Sequence, residues 1–167
     1  MVRALLGEGQ LPTVVDADAL AALAGHPGAL SPLKGLGILT PHPGEMATLL
    51  GSSVAKVQAD RRAAAKAFAE THGVIVVLKG HGTVVTDGHR VAVADTGNPG
   101  MATAGTGDVL SGVIAGLLAQ GMPPFEAAYL GVHLHGMAGD LAAKETGLHA
   151  LIATDLLAAL PAAFQRH

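Results

Sequence analysis

The chain has 167 residues; half are apolar but only 2% are aromatic, so its core must be built mainly from Ala, Val and Leu. A net charge of -3 without a basic stripe argues against nucleic acid as a partner. No apolar run reaches membrane-spanning length, the N-terminus lacks a signal-peptide pattern, and the absence of cysteine is compatible with the cytoplasm, where we expect the protein. This length predicts one domain, residues 1–167.

The first half of the chain alternates short apolar strands with helices. Strands are predicted at 11–15, 37–39 and 74–78, and helices after Asp18, at 43–50 and at 54–71. Ser53 is expected to cap the last of these helices and Gly73 to end it. The 74–78 run is continuously apolar and rich in β-branched residues, which predicts a strand buried on both faces.

The second half begins with a predicted hairpin, strands 84–86 and 91–93 around Asp87 and Gly88. Helices are expected at 108–119, 124–145 and 155–163. The whole pattern predicts an α/β fold with a mostly parallel sheet and helices on both faces. Ligands bind such sheets beyond the carboxyl ends of the strands, so the polar segments that follow strands are expected to converge on one edge.

A glycine-rich segment, residues 98–108, runs directly into the 108–119 helix. Free N–H groups at a helix start form an anion site, and Gly105 and Gly107 let a ligand approach the backbone closely. A carboxylate is not needed to hold an anion, so Asp108 suits the role of a base that takes a proton from a hydroxyl. The alternative is a structural helix start capped by Thr106.

Three other polar segments follow predicted strands. Lys79, Gly80, His81, Gly82 and Thr83 could cradle the phosphates or ribose of a nucleotide, without P-loop spacing, or form a tight turn into the hairpin. His42 lies between two prolines in a rigid loop suited to ligand contact, although this loop and Glu45 also suit a structural helix start. Asp16 and Asp18 are interpreted as helix caps rather than metal ligands.

The remaining histidines are interpreted as surface or structural residues, because no spacing among them suggests zinc. They are His26, His72, His89, His133, His135, His149 and His167.

Taken in order, four segments resemble the NAD(P)H-hydrate dehydratase family, which has a ribokinase-like fold. They are Asp16-Ala17-Asp18-Ala19-Leu20, Thr40-Pro41-His42-Pro43-Gly44-Glu45, Lys79-Gly80-His81-Gly82-Thr83, and Asn98 to Asp108 with the Val109-Leu110-Ser111-Gly112 that follows. The resemblance runs from about Leu11 to the C-terminus. It implies an enzyme that uses ADP or ATP with Mg²⁺ to phosphorylate the added hydroxyl of hydrated NADH or NADPH, and then eliminates phosphate.

The resemblance also implies roles for individual residues. Asp108 would be the base, and Gly105, Thr106 and Gly107 would form the anion hole for the phosphoryl group. Lys79, Gly80, His81, Gly82, Thr83 and Gly107 would contact the nucleotide. His42 and Asp108 would contact the substrate, and Glu45 would help to organise Mg²⁺.

The chain departs from the family pattern in two places. Ala104 replaces a glycine, which would reshape the loop if that position needs a positive φ. The family's domain also begins upstream of Met1, so we expect this chain to be the C-terminal portion of a truncated domain. The missing strands would leave an open sheet edge, which predicts a homo-oligomer or a partner that supplies the N-terminal segment.

Two alternative functions are left open by the sequence. The first is another ribokinase-like kinase for a thiazole, pyrimidine or sugar alcohol, although the segments 40–45 and 98–103 match the dehydratases better. The second is a catalytically incomplete chain that binds nucleotide but lacks a full substrate site. A dinucleotide-binding dehydrogenase is excluded because no Gly-x-Gly-x-x-Gly follows the first strand.

Overall fold

A computed structural model describes residues 11–166. Its five strands form one sheet in sequential order: β1 (Thr13–Val15), β2 (Gly37–Leu39), β3 (Ile75–Leu78), β4 (Val84–Thr86) and β5 (Val91–Val93). β1, β2 and β3 pair in parallel, whereas β4 is antiparallel to both β3 and β5. The sheet is therefore mixed, with β4 alone running against the other four strands, and the predicted hairpin is present.

Seven α-helices connect and cover these strands within the described range. They are α1 (Asp18–Leu23), α2 (Pro43–Leu49), α3 (Val54–Ala59), α4 (Arg61–His72), α5 (Thr106–Ala119), α6 (Pro124–Thr146) and α7 (Ala153–Gln165). Two 3₁₀ segments, Pro27–Leu33 and Pro99–Met101, lie between them. Neither of these segments was predicted.

The single helix predicted at 54–71 is wrong, because the chain breaks at Asp60 into α3 and α4. The Asp60 carboxylate accepts a hydrogen bond from Ala63 N at 2.9 Å and so caps α4. An aspartate that bonds its local backbone offers the chain an alternative to continuous helix. The predicted ends are confirmed, since Ser53 caps α3 and Gly73 adopts the left-handed conformation after α4.

The start predicted for the last helix, residue 155, is also wrong, because α7 begins at Ala153. The Asp155 carboxylate accepts a hydrogen bond from Ile152 N at 3.0 Å. Asp155 therefore lies inside the first turn, where its side chain reaches back to satisfy a free N–H group.

Two hydrophobic layers sandwich the sheet. In β3, Val76 and Leu78 pack into the layer under α1 to α4, while Ile75 and Val77 pack into the layer under α5 and α6. Alternate residues of a strand point to opposite faces, so a continuous apolar run serves both layers. The predicted burial of this strand on both faces and the helices on both sides of the sheet are confirmed.

The strand ends are tied together at one edge. Thr40, which follows β2, is fully buried and donates from its N–H and its hydroxyl to Val15 O at the end of β1, at 3.1 and 3.3 Å. Lys79 N, at the end of β3, donates to Pro41 O at 2.9 Å. These bonds hold the segments after the three parallel strands in one place. Among residues 11–166, no helix is long and apolar enough to cross a membrane.

Candidate active site

Lys79 lies where the three parallel strands end. Its ammonium pairs with Asp16 Oδ1 at 2.8 Å and lies 3.9 Å from Glu45 Oε2. The other oxygen of Asp16 accepts a hydrogen bond from the hydroxyl of Ser111 in α5 at 2.9 Å. A Cβ built on Gly107 would lie 3.4 Å from Lys79 Nζ, so the ammonium also lies against the first turn of α5.

Asp16 is an ion-pair partner and not a helix cap, so the predicted capping role is wrong. Ala17 precedes α1, and no side chain caps that helix. Burial raises the pKa of the Asp16 carboxyl, but the hydrogen bond and charge of Lys79, with the bonds from Ser111 and Ala17 N, outweigh it and lower the pKa below its usual value. Asp18 lies in the first turn of α1 and is exposed.

The turn formed by residues 105–108 starts α5. Gly105 precedes the helix with φ +85°, a conformation that glycine adopts without steric cost. The N–H groups of the first helical turn have no intrahelical partners, and the helix dipole adds partial positive charge there. The turn therefore has the features of the predicted anion site.

Thr106 does not cap α5, so this structural interpretation of the turn is wrong. Its hydroxyl instead lies 2.9 Å from both Met101 O and Thr103 O, which share its single proton, and so bonds the preceding loop. Ala104 itself does not adopt a positive φ, because Ala17 is the only described non-glycine residue that does.

A cavity of about 670 Å³ opens beside these segments. All five residues of the 79–83 loop line it, together with His42, Pro43, Thr106 and Gly107. Its remaining walls come from Leu110 of α5, from Val132, His135 and Gly136 of α6, from the 96–102 loop, and from Ala94 and Thr103 on either side of that loop. Gly105 and Asp108 do not line this cavity, and Asp108 is an exposed residue of the first turn of α5.

His42 and Glu45 form a reciprocal cap at the start of α2. His42 Nδ1 accepts from Gly44 N at 3.0 Å and Glu45 N at 3.2 Å, while Glu45 Oε2 accepts from His42 N at 2.7 Å. His42 and Glu45 therefore form the structural helix start that the sequence analysis gave as the alternative to ligand contact. It is compatible with ligand contact, because His42 remains exposed and lines the cavity.

His135 is a cavity residue that the sequence analysis missed. Its Nε2 lies 2.9 Å from Thr106 O, at the start of the 105–108 turn. Burial, together with the charge of Lys79, lowers the pKa of His135 to about 4 against the opposing bond to Thr106 O, so the ring is neutral and donates to that carbonyl. The signal available in the sequence was spacing, because His135 lies four positions from both Gly131 and Gly139. Residues with this spacing share one helix face, and in the structure both glycines are buried.

Asp140 of α6 was also missed. Its two oxygens accept from Gly97 N and Asn98 Nδ2, each at 2.9 Å, and so anchor the 96–102 loop. Thr96 Oγ1 donates to His133 O at 3.1 Å and adds a second anchor. One wall of the cavity is thereby fixed to α6.

The described residues contain no group of three or more His, Cys, Asp or Glu that could hold a metal ion. Glu45 and Asp16, on either side of Lys79, are the carboxylates that approach its ammonium. This donor set fits a Mg²⁺ held mainly by nucleotide phosphates with one or two carboxylates, and does not fit an all-protein metal site.

Fold and site together define a ribokinase-like protein, with an open helix start and a lysine facing a cavity at the carboxyl edge of the sheet. The sequence profile described as NAD(P)H-hydrate dehydratase matches residues 4–162. The chain therefore belongs to the NAD(P)H-hydrate dehydratase family.

Individual relatives agree with this assignment. The bifunctional NAD(P)H-hydrate repair enzyme Nnr of Moorella thermoacetica is 53% identical over 163 residues, 96% of this chain and 31% of the relative. An ADP/ATP-dependent NAD(P)H-hydrate dehydratase from Bacillus subtilis, co-crystallised with ATP and Mg²⁺ and soaked with CoA, superposes with a TM-score of 0.82 at 36% identity. That superposition covers 93% of this chain and 56% of the Bacillus chain.

A ribokinase-like superfamily protein from Enterococcus faecalis V583 superposes with a TM-score of 0.85 at 30% identity, covering 99% of this chain and 57% of the other. The predicted ribokinase-like fold is thus confirmed. The chain spans about a third of the length of the Moorella relative and somewhat more than half of the two solved structures.

Proposed function

We propose that this chain takes part in the nucleotide-dependent dehydration of hydrated NADH or NADPH. In the first step the hydroxyl that hydration added to the nicotinamide ring loses its proton to a base and attacks the terminal phosphorus of ADP or ATP. The bond from that phosphorus to the bridging oxygen breaks, and AMP or ADP leaves. In the second step phosphate leaves with the C–O bond electrons while the ring loses a proton, which restores NADH or NADPH. The observation that carries this proposal is the cavity lined by both the 79–83 loop and the first turn of α5.

The nucleotide is proposed to bind in that cavity. Lys79, Gly80, His81, Gly82 and Thr83 all line it, and so does Gly107 in the first turn of α5. The Lys79 ammonium is aligned by Asp16 and held against the first turn of α5, where it favours a phosphate. Both glycines of the loop have a positive φ, a backbone conformation that residues with a side chain rarely adopt.

The transferring phosphoryl group is proposed to bind the N–H groups of Gly105, Thr106 and Gly107. Asp108 would take the proton from the attacking hydroxyl, because its exposed carboxylate lies one residue beyond this anion hole. Since Asp108 lies outside the nucleotide cavity, the hydrated coenzyme would approach the turn from the other direction. His42, an exposed residue of the cavity lining, would contact that substrate where the two ligands meet.

Mg²⁺ would be bound by the phosphates of the nucleotide, with Glu45 as the protein carboxylate that helps to hold it. When bound, the ion neutralises charge on the phosphates. Lys79 contributes positive charge at the same place from the protein side.

A homo-oligomer or a partner chain that supplies further strands is part of the proposal, as are a cytoplasmic location and a single domain. The support for added strands is that β1 lies at an open edge of the described sheet, where it pairs only with β2. A catalytically incomplete chain that binds nucleotide is the second candidate, favoured by the same observation.

The proposal is tested by incubating the chain with hydrated NADPH, Mg²⁺ and either ADP or ATP, and by measuring the recovery of NADPH absorbance. Asp108→Asn is expected to lower kcat at least about 100-fold, because a general base contributes that much. Its ADP affinity should change little, because Asp108 lies outside the cavity. Glu145→Gln, an exposed charge change on α6, is the matched control.

No recovery by the parent chain despite measurable ADP binding would favour the second candidate. Full activity of Asp108→Asn would exclude Asp108 as the base. Absence of both turnover and nucleotide binding would contradict both candidate functions.

A further inference from the structure

Arg61, the first residue of α4, reaches the end of β3. Its Nη2 donates to Leu78 O at 2.9 Å and to Lys79 O at 3.2 Å, and its Nη1 donates to Gln58 Oε1 at 3.1 Å. The two carbonyls belong to consecutive residues at the point where β3 becomes the 79–83 loop. One side chain, 17 and 18 positions away in sequence, therefore fixes the backbone at the start of this loop.

The guanidinium lies directly against Gly80. A Cβ built on Gly80 would lie 3.1 Å from Arg61 Nη1 and 3.2 Å from Nη2, closer than almost all real Cβ contacts. Gly80 also has φ +132°, which residues with a side chain rarely adopt. The guanidinium therefore packs against the loop at a position where only glycine leaves enough space.

The charge of Arg61 has no counter-ion in the described part of the chain, where every ion pair is formed by other residues. Its Nε is buried without a hydrogen-bond partner, and burial lowers the pKa of the guanidinium. Arg61 is partly buried, and a charge without a counter-ion loses favourable hydration there. An anion bound at the adjacent loop would provide the missing negative charge.

We propose that Arg61 is a positioning residue for the 79–83 loop. It holds the carbonyls of Leu78 and Lys79 so that the loop keeps its ligand-binding geometry before the nucleotide arrives. Its uncompensated charge favours the phosphates of that nucleotide. The second part rests on the proposed function, and the first part does not.

The test compares Arg61→Met with Arg62→Met, which removes an exposed arginine from the next position of the same helix. Two quantities are measured on folded protein: the Kd for ADP by calorimetry and amide hydrogen exchange of the 79–83 loop without nucleotide. Arg61→Met is expected to raise the Kd about tenfold or more, because charged hydrogen bonds to the loop are lost. Loop exchange should become faster in Arg61→Met and remain unchanged in Arg62→Met.

Arg61→Lys keeps the charge but replaces the two terminal NH₂ groups of the guanidinium with a single ammonium. Its Kd for ADP and its loop exchange rate are therefore expected to lie between those of the parent and those of Arg61→Met. This variant carries the test if Arg61→Met does not fold. A folded Arg61 variant with the parent's Kd and the parent's loop exchange would overturn the inference. If the parent itself does not bind ADP, the proposed function fails, and unchanged loop exchange in the Arg61 variants would separately reject the positioning role.

Discussion

At the scale of single residues, the site depends on side chains whose roles are set by their neighbours. Lys79 pairs with Asp16, and His135 bonds the carbonyl of Thr106 at the start of α5. Both contacts join the site's segments to parts of the chain distant in sequence. Each should therefore affect folding as well as ligand binding.

His135 predicts a pH-dependent stability. Its folded pKa is about 4, whereas an unfolded histidine has about 6.5, so the unfolded chain binds more protons between these values. The contribution of His135 is complete above pH 6.5 and is lost as the pH falls from 6.5 through 4. Denaturant unfolding at pH 7 and pH 4 should show that the parent loses about 2–3 kcal/mol more than His135→Gln.

His149→Gln is the control for this pH experiment, because His149 is exposed and lies outside the cavity. It should lose the same stability as the parent between pH 7 and pH 4. Equal losses in the parent and His135→Gln would contradict the neutral, buried state of His135.

At the scale of elements, α6 supports the 96–102 loop through close contact. Gly136 and Gly139 leave no room for a side chain, because a Cβ at Gly139 would overlap Met101 Sδ. Asp140 on the same helix accepts hydrogen bonds from Gly97 N and Asn98 Nδ2 near the start of this loop. The small residues of α6 are thus the reason that one cavity wall lies where it does.

Gly136→Ala tests this packing. Its Cβ would lie 2.3 Å from Thr96 Oγ1 and 2.8 Å from the backbone carbonyl carbon of Thr96, so the loop must move. We expect a loss of about 1–3 kcal/mol in the free energy of unfolding. The Kd for ADP, measured by calorimetry, should rise with it.

The matched control is Gly116→Ala in α5, where a Cβ would meet no atom within 4 Å. It should raise the free energy of unfolding by about 0.5–1 kcal/mol, since alanine has the higher helix propensity. If both variants behave alike, close packing of α6 against the loop is not the determining feature.

At the scale of the whole molecule, the cavity joins both layers of the fold. The 79–83 loop continues β3, which contributes to both hydrophobic layers, while Leu110 and Val132 belong to the layer of α5 and α6. A ligand that bridges these parts should stabilise the folded state as one unit.

ADP is therefore expected to stabilise the chain against denaturation. At 100 times its Kd the gain in free energy of unfolding should be about 2.7 kcal/mol, from mass action alone. Adenosine, which lacks the phosphates that Lys79 and the start of α5 would bind, should give a much smaller gain at the same concentration. Equal gains from adenosine and ADP, or none from millimolar ADP, would contradict a phosphate site at this turn.

Local patterns were sufficient for most of the fold. The β-branched run at 74–78, the Asp87-Gly88 turn and the glycine-rich start of α5 each carry their signal within a few residues. The break at Asp60 was missed because the apolar spacing continues through it. The signal was nevertheless local, since aspartate is a favoured helix cap and Asp60 accepts a bond from Ala63 N, three residues on.

The sequence by itself determined most of the strand and helix order, because hydrophobic periodicity and glycine positions are local properties. The family came from the resemblance carried by four motifs in order, and the segments expected at the site came from their places after strands. Tertiary structure alone decided that Asp16 pairs with Lys79, that Arg61 holds the carbonyls of β3, and that His135 reaches Thr106. These partners are 17 to 63 residues apart. Such contacts arise from how sheet and helices pack, and no spacing within one segment of the chain encodes them.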